Sequence, residues 1–249
     1  MTSLSPLMIG VSAGVAVVAM VLGGLILGTA QDRGQIWRGV LIGLNSGLNF
    51  LLGWWLLGGL PYGLAVAGGL ALIGYLSVVP PVAYSRIFHF ILGWLSWLMP
   101  MSWLVHAIGL ALLILSLIGF LIIGLVFRST FFQVTRFGWN WSEGTFFLVG
   151  GWVADMNPGK SGFDLGGFIF IHRDWAALVP AQIPSWDWLL EHETGHALSL
   201  AAFGSIFHLI EALDENLPVI GRGANAPAEH IADSNAWPRQ YGYIAQWGA

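Results

Sequence analysis

The sequence contains no cysteine and few charged residues. The lack of cysteine excludes disulfides, thiolate metal ligands and cysteine nucleophiles, so a metal could be bound only through His, Asp or Glu side chains. Charged residues make up 9% of the chain, and its nine Lys and Arg residues are scattered rather than clustered. Without a basic patch, the sequence excludes nucleic acid as a partner.

Apolar residues are abundant instead. They make up 56% of the chain, and the mean hydropathy is +0.74, which is well above that of a soluble globular domain. Crossing about 30 Å of hydrocarbon takes about 20 helical residues. Four apolar runs are long enough: 8–28, 38–59, 62–84 and 104–127. The sequence therefore predicts a multi-pass integral membrane protein in the bilayer of a plasma or inner membrane.

A shorter apolar segment at 87–103 decides the predicted topology. It is interrupted by Pro100 and rich in tryptophan, so it is interpreted either as a fifth span, which we favour, or as an interfacial arm. Five spans, with the uncharged N-terminus outside, place the C-terminal half in the cytoplasm by the positive-inside rule. Four spans place it on the other side.

The charges divide the chain into two predicted domains. Residues 1–127 contain one acidic and three basic residues, whereas residues 128–249 contain the other twelve acids and six bases. The first part is expected to be a transmembrane helical scaffold. Within it, Gly39, Gly43 and Gly47 predict close helix packing, and Asn45 and Asn49 predict hydrogen bonds between helices.

The second part is expected to be a small α+β module. Three runs rich in Phe, Val, Ile and Thr predict strands at 129–137, 144–152 and 166–174. The last of these strands is expected to offer an edge to which an extended peptide can pair. "NPGKSG" (157–162) resembles a phosphate loop, but Ala154 occupies the position of its first glycine, so a nucleotide site is not expected.

The stretch "EHETGHALSL" (191–200) contains the HExxH motif, on a helix that the pattern predicts to run from Ser185 through Leu213. His192 and His196 are one turn apart on one face, a spacing that lets two imidazoles bind one Zn²⁺. Glu193 could then reach a water on the metal. In the alternative, the three residues are buried without a metal, and each side chain then needs a hydrogen-bond partner of its own. The pattern therefore favours zinc.

A zinc site with two histidines needs a third protein ligand. Ala202 excludes the metzincin pattern, which has a histidine there. Pro227 and Pro238 bound a short predicted helix on which Glu229 and Asp233 share a face. Glu229 could complete the ligand set, and Asp233 could accept the outer N–H of a ligand histidine. The alternatives are a solvated helix face and, as a reserve ligand, His230.

HExxH followed by "EHIAD" (229–233) resembles the gluzincin metallopeptidases, in particular integral-membrane members such as the CAAX prenyl endopeptidase and the bacterial heat-shock membrane protease. The resemblance covers two short motifs, and only 32 residues separate His196 from Glu229. It implies a zincin-like module with His192, His196 and Glu229 as zinc ligands, Glu193 as general base and Asp233 orienting a ligand. It also implies an endopeptidase that acts on a peptide or membrane-protein substrate.

The sequence leaves two other interpretations open. Asp214 could be the third ligand of a site-two-type protease, although a continuous helix would place it about 27 Å from His196 at about 1.5 Å per residue. The chain could also be a non-enzymatic subunit or assembly factor of a membrane complex, with a structural or vestigial metal site. For the peptidase, the candidate oxyanion donors are His172, Arg222, Arg239 and Tyr241.

Overall fold

The structure is a computed structural model that describes residues 3–26, 33–77, 82, 85–156, 160–178, 186–216, 229 and 232. It is mostly helical, with one small mixed sheet. The helices are α1 (Pro6–Ile26), α2 (Arg33–Leu57), α3 (Leu60–Leu76), α4 (Arg86–Leu98), α5 (Trp103–Gly119), α6 (Gly151–Asp155), α7 (Trp175–Leu178), α8 (Trp186–Phe203) and α9 (Ser205–Asn216). The strands are β1 (Val134–Asn140), β2 (Thr145–Gly150), β3 (Gly162–Leu165) and β4 (Phe168–Ile171).

Two helical segments in the described part of the chain are long and apolar enough to cross a bilayer. They are Gly39–Leu57 in α2 and Pro100–Gly124, which comprises a 3₁₀ turn, α5 and a π-helical turn. Pro6–Leu22 and Leu60–Leu76 are also apolar but shorter. Two of the four predicted runs, 38–59 and 104–127, thus correspond to segments that are long and apolar enough to cross a bilayer.

Small residues bring α1 and α2 into close contact, as predicted. A Cβ added at Gly43 would lie 2.7 Å from the Ala16 carbonyl oxygen, and one at Gly47 would lie 2.9 Å from that of Ser12. Both contacts are with backbone that cannot move away easily. The two glycines therefore permit a helix spacing that larger residues would prevent.

The two asparagines of α2 form hydrogen bonds to other elements, which confirms their predicted role. Asn49 Oδ1 accepts from the Met101 backbone N–H at 3.1 Å, and Asn45 Nδ2 donates to the Ala201 carbonyl of α8 at 3.5 Å. Asn49 Nδ2 also donates to Asn45 Oδ1 at 2.8 Å. The pair thus joins the apolar scaffold to the helix that carries HExxH.

Helix α4 occupies the segment that was favoured as a fifth span. Its 13 residues extend about 20 Å, less than the about 30 Å of hydrocarbon, so α4 alone does not cross a bilayer. Phe88 and Leu92 pack into a core with Leu198 of α8, whereas Ile87 and Ile91 are exposed. The predicted fifth span is thus a helix shorter than the hydrocarbon core, and its position relative to a membrane stays a prediction.

The sheet has the order β1-β2-β4-β3, and only β2 and β4 are parallel. The prediction that the strand containing "FIFI" (168–171) offers a free edge is wrong, because β4 is paired on both sides. The edge strands are β1 and β3, and β3 was not predicted. One face of the sheet packs on α5, and the other packs on Leu189 of α8 and the neighbouring tryptophans. The sheet thereby fixes the start of the HExxH helix.

The long helix predicted over 185–213 is wrong, because it is two helices that meet at Gly204. This residue has φ +88°, and a Cβ there would lie 2.3 Å from Asn45 Oδ1. Only glycine combines the left-handed conformation of a helix end with so close an approach. The chain therefore changes direction after α8, and α9 returns towards the sheet.

Candidate metal centre

Helix α8 places the two histidines of HExxH on one face in a buried setting. Their rings lie edge to face with centroids 5.0 Å apart, and Trp188, one turn earlier, stacks on His192 at 4.9 Å. The side chains of His192 and His196 are only 11% and 13% exposed. The ring contacts and the low exposure therefore limit the orientations of these imidazoles.

The carboxylate of Glu229 lies against both rings. Its Oε2 is 3.4 Å from His192 Nε2, and its Oε1 is 3.6 Å from His196 Nε2. In the part of the chain that the structure describes, these three residues are the one group whose ligand atoms could hold a metal ion, all within 4.8 Å of one another. The structure thus brings together the three residues predicted as ligands.

Two of the separations can be compared with the geometry of a metal site. Metal bonds of about 2.0–2.2 Å at tetrahedral angles, as in zinc sites, place two ligand atoms about 3.3–3.6 Å apart. The two distances from Glu229, 3.4 and 3.6 Å, lie in this range, and the ligand atoms of all three residues lie within 4.8 Å of one another. The group could therefore hold a metal ion.

The protonation states also suit metal binding. Burial lowers the pKa of His196 to about 3, so at neutral pH its ring is uncharged and its lone pair can bind a cation. Burial alone would raise the pKa of Glu229, but the hydrogen bond with His192 and the attraction of the protonated form of His196 at low pH lower it to about 2. At neutral pH the site thus offers a carboxylate and a neutral His196 imidazole.

Glu193 is buried beside this group and faces strand β3. A Cβ added at Gly162 would lie 2.5 Å from Glu193 Oε1, so the missing side chain at that position makes room for the carboxylate. Burial raises the pKa of Glu193 to about 8. This pKa is close to neutral pH, so the carboxyl group can gain and lose a proton readily, as a group that accepts and returns a proton must.

A second buried polar group, which the sequence did not reveal, lies next to the site. Asp164 is on β3, two residues after Gly162 and therefore on the same face of the strand. His208 Nε2 of α9 is 3.7 Å from Asp164 Oδ2. Glu211, one turn further along α9, is buried, and neither of its carboxyl oxygens has a hydrogen-bond partner among the residues that the structure describes. Burial raises the pKa of Asp164 and of Glu211 well above their usual range.

The break at Gly204 brings His208 back towards the site. A straight helix would carry His208 away from the metal ligands, whereas in the folded chain its Nε2 lies 3.7 Å from Asp164 Oδ2 of β3. Asp214 is not part of the group that could hold a metal. The sequence pattern that could have revealed this second polar group is a glycine after an apolar helix, followed by His208 and Glu211 at helical spacing.

The remaining predicted residues lie elsewhere or are not described. His172 follows β4, where its Nδ1 accepts from the Asp174 N–H at 3.0 Å and its Nε2 is 3.9 Å from Asp155 Oδ1. Five residues lie outside the described part of the chain: Arg222, His230, Asp233, Arg239 and Tyr241. The orienting role of Asp233 stays a prediction.

Comparison with known proteins adds nothing to this geometry: no protein-family model, no curated protein and no solved structure matches the chain.

Proposed function

We propose that this chain is a membrane-embedded, zinc-dependent endopeptidase. The observation that carries the proposal is the convergence of His192, His196 and Glu229 at the spacing of zinc ligands, with the carboxyl group of Glu193 buried beside them. Two histidines and one carboxylate also suit Fe(II). A neighbouring glutamate that can act as a base favours hydrolysis over oxygen chemistry.

The proposed chemistry follows from the charges of the site. A zinc ion held here would supply a Lewis acid that lowers the pKa of a bound water towards about 7 and polarises the scissile carbonyl. Glu193 accepts the proton of the attacking water and returns it to the amine that leaves. His192, His196 and Glu229 would hold the ion, and a site with three protein ligands would leave room for a water or the substrate.

Strand β3 supports a peptide as the substrate class. It is an edge strand of the sheet and runs past Glu193 at Gly162. An extended peptide can add to such an edge through main-chain hydrogen bonds. This geometry would bring a peptide carbonyl next to the base, whereas the predicted edge at β4 is not available.

The experiment measures metal content and proteolysis on the same samples. Protein purified in detergent should contain about one zinc and little iron by elemental analysis, and it should cleave fluorescein-labelled casein in a reaction that 1,10-phenanthroline inhibits. His196→Ala should remove zinc and activity, because it deletes a ligand. Glu193→Gln should keep zinc and lose activity, because it deletes only the base.

Two results would contradict the proposal. Loss of zinc in Glu193→Gln would mean that the roles are misassigned. Zinc that is retained without any proteolysis, in the wild type as well, would favour the alternative of a membrane-complex subunit with a structural metal site, which typically has four protein ligands.

A further inference from the structure

Peptide hydrolysis at this site would place a negative charge on the carbonyl oxygen of the substrate. As the water attacks, Glu193 takes its proton and becomes neutral, so one negative charge moves from Glu193 to that oxygen. Enzymes stabilise such an oxyanion with a donor or cation already in place. His172, the described candidate for this role, interacts with Asp155 and Asp174 instead.

Lys160 is a basic residue that interacts electrostatically with the metal centre. Its positive charge lowers the pKa of three groups there, Glu193, His196 and Glu229. It lies two residues before Gly162, the residue that packs directly on the Glu193 carboxylate. The first residue of β3, Gly162, thus contacts the general base, and a basic side chain lies two residues before it in the chain.

The ammonium group of Lys160 is held in place by an ion pair. Nζ donates to Glu215 Oε1 at the end of α9, and the side chains of Lys160 and Glu215 are 29% and 27% exposed. An ammonium has three N–H donors, so two are left for other acceptors after the bond to Glu215. An anchored, half-buried cation loses little freedom when it meets a new anion, which is the requirement for preorganised stabilisation.

We propose that Lys160 is a catalytic residue that donates to the oxyanion of the tetrahedral intermediate, with Glu215 positioning its ammonium group. The proposal rests on the peptidase function proposed above. As the water oxygen bonds to the carbonyl carbon, the C=O π pair moves to the carbonyl oxygen and Glu193 takes the water proton. That pair then re-forms the C=O bond, the C–N bond breaks, and Glu193 protonates the amine.

A purely structural ion pair predicts a different result from a catalytic cation. If Lys160 serves only to fasten β3 to α9, then Lys160→Met and Glu215→Gln break the same bond and must have the same effect. If Lys160 stabilises the oxyanion, Lys160→Met removes the cation, whereas Glu215→Gln leaves it in place without its tether. The comparison of the two variants therefore separates the roles.

The test measures kcat and KM on a fluorogenic peptide selected from casein cleavage. Loss of one oxyanion donor typically lowers kcat by about 10²–10³-fold. We expect this loss for Lys160→Met, with KM and zinc content within a few-fold of wild type. Lys160→Arg should recover part of the rate, and Glu215→Gln should lose much less. Arg86→Met, which breaks the exposed ion pair of Arg86 with Glu191 of α8, is the matched control and should keep full activity.

A binding measurement does not depend on turnover. An N-phosphoryl dipeptide carries a tetrahedral anion, and calorimetry on the zinc-loaded protein should show weaker binding by about 10²-fold for Lys160→Met but not for Arg86→Met. Equal losses in Lys160→Met and Glu215→Gln, or no loss in Lys160→Met, overturn the proposal and leave the peptidase intact. A wild type that neither cleaves peptides nor binds the phosphoryl dipeptide overturns both.

Discussion

Replacing Glu229 with glutamine should weaken zinc binding strongly and change the stability of the fold little. The side chain of Glu229 is only 15% exposed, and its two oxygens lie 3.4 and 3.6 Å from the two histidines. Glutamine keeps the shape of the side chain but removes the charge that a dication requires. The substitution thus tests the ligand role with little change in packing.

The expected size follows from the energy of zinc sites. Structural zinc sites bind with about 10–16 kcal/mol, which is roughly 3–5 kcal/mol for each of three or four ligands. A factor of ten in affinity corresponds to about 1.4 kcal/mol, so Glu229→Gln should raise the zinc dissociation constant by about 10²–10⁴-fold. Proteolysis at low free zinc should fall in parallel.

The assay is a competition between the purified protein and a fluorescent zinc chelator of known affinity. Glu191→Gln is the matched control, because Glu191 is a carboxylate on the same helix that pairs with Arg86 rather than with the metal group. Its affinity for zinc should equal that of the wild type. Equal zinc affinity in Glu229→Gln and Glu191→Gln would refute the assignment of Glu229 as the third ligand, and with it the gluzincin pattern.

Three further predictions concern Gly162, Glu211 and the membrane topology. Gly162→Ala should lower kcat by about 10²-fold at unchanged zinc content, because its methyl group must displace the Glu193 carboxylate; an unchanged kcat would contradict the contact. Glu211→Gln should stabilise the fold at neutral pH. Burial raises the folded-state pKa of Glu211 well above its usual value of 4.5, so above pH 4.5 the folded protein holds a proton that the unfolded chain has lost. The free energy of unfolding therefore falls by about 1.4 kcal/mol per pH unit between the two pKa values. Thermal denaturation from pH 5 to 8 should show a shallower fall in the variant than in the wild type, and equal slopes would refute the reasoning. Finally, the short α4 leads us to expect both chain ends on one side of the membrane; reporters fused before Met1 and after Ala249 that read opposite sides would restore the fifth crossing and the cytoplasmic module.

The histidine pair could be predicted from the sequence because its geometry is local. Four residues make about one helical turn, so His192 and His196 share a face wherever the helix lies. Asn45 and Asn49 follow the same rule within α2. The approach of Glu229 to both rings depends instead on how the intervening chain folds. The sequence pointed to Glu229 only through the need for a third ligand and the resemblance to a known motif pair.

The end of α8 could not be predicted from periodicity, because the apolar pattern continues past it. Gly204 ends the helix through a contact with Asn45, a residue more than 150 positions earlier in the chain. Hydrophobic spacing carries no information about such a contact. A glycine inside a helical pattern costs only about 1 kcal/mol, so it does not by itself predict a break.

Strand β3 was missed for a related reason, and its role explains why Lys160 was overlooked. The segment "SGFDLGG" (161–167) contains three glycines and an aspartate, which are depleted in strands. It becomes a strand because it pairs with β4. Its composition follows from the side chains of α8 and α9 that it contacts. Gly162 leaves room for the Glu193 carboxylate, and Asp164 lies against His208. The features that weaken the strand in the sequence are therefore those that fit β3 against Glu193 and His208, and Lys160 lies two residues before the start of this strand in the chain.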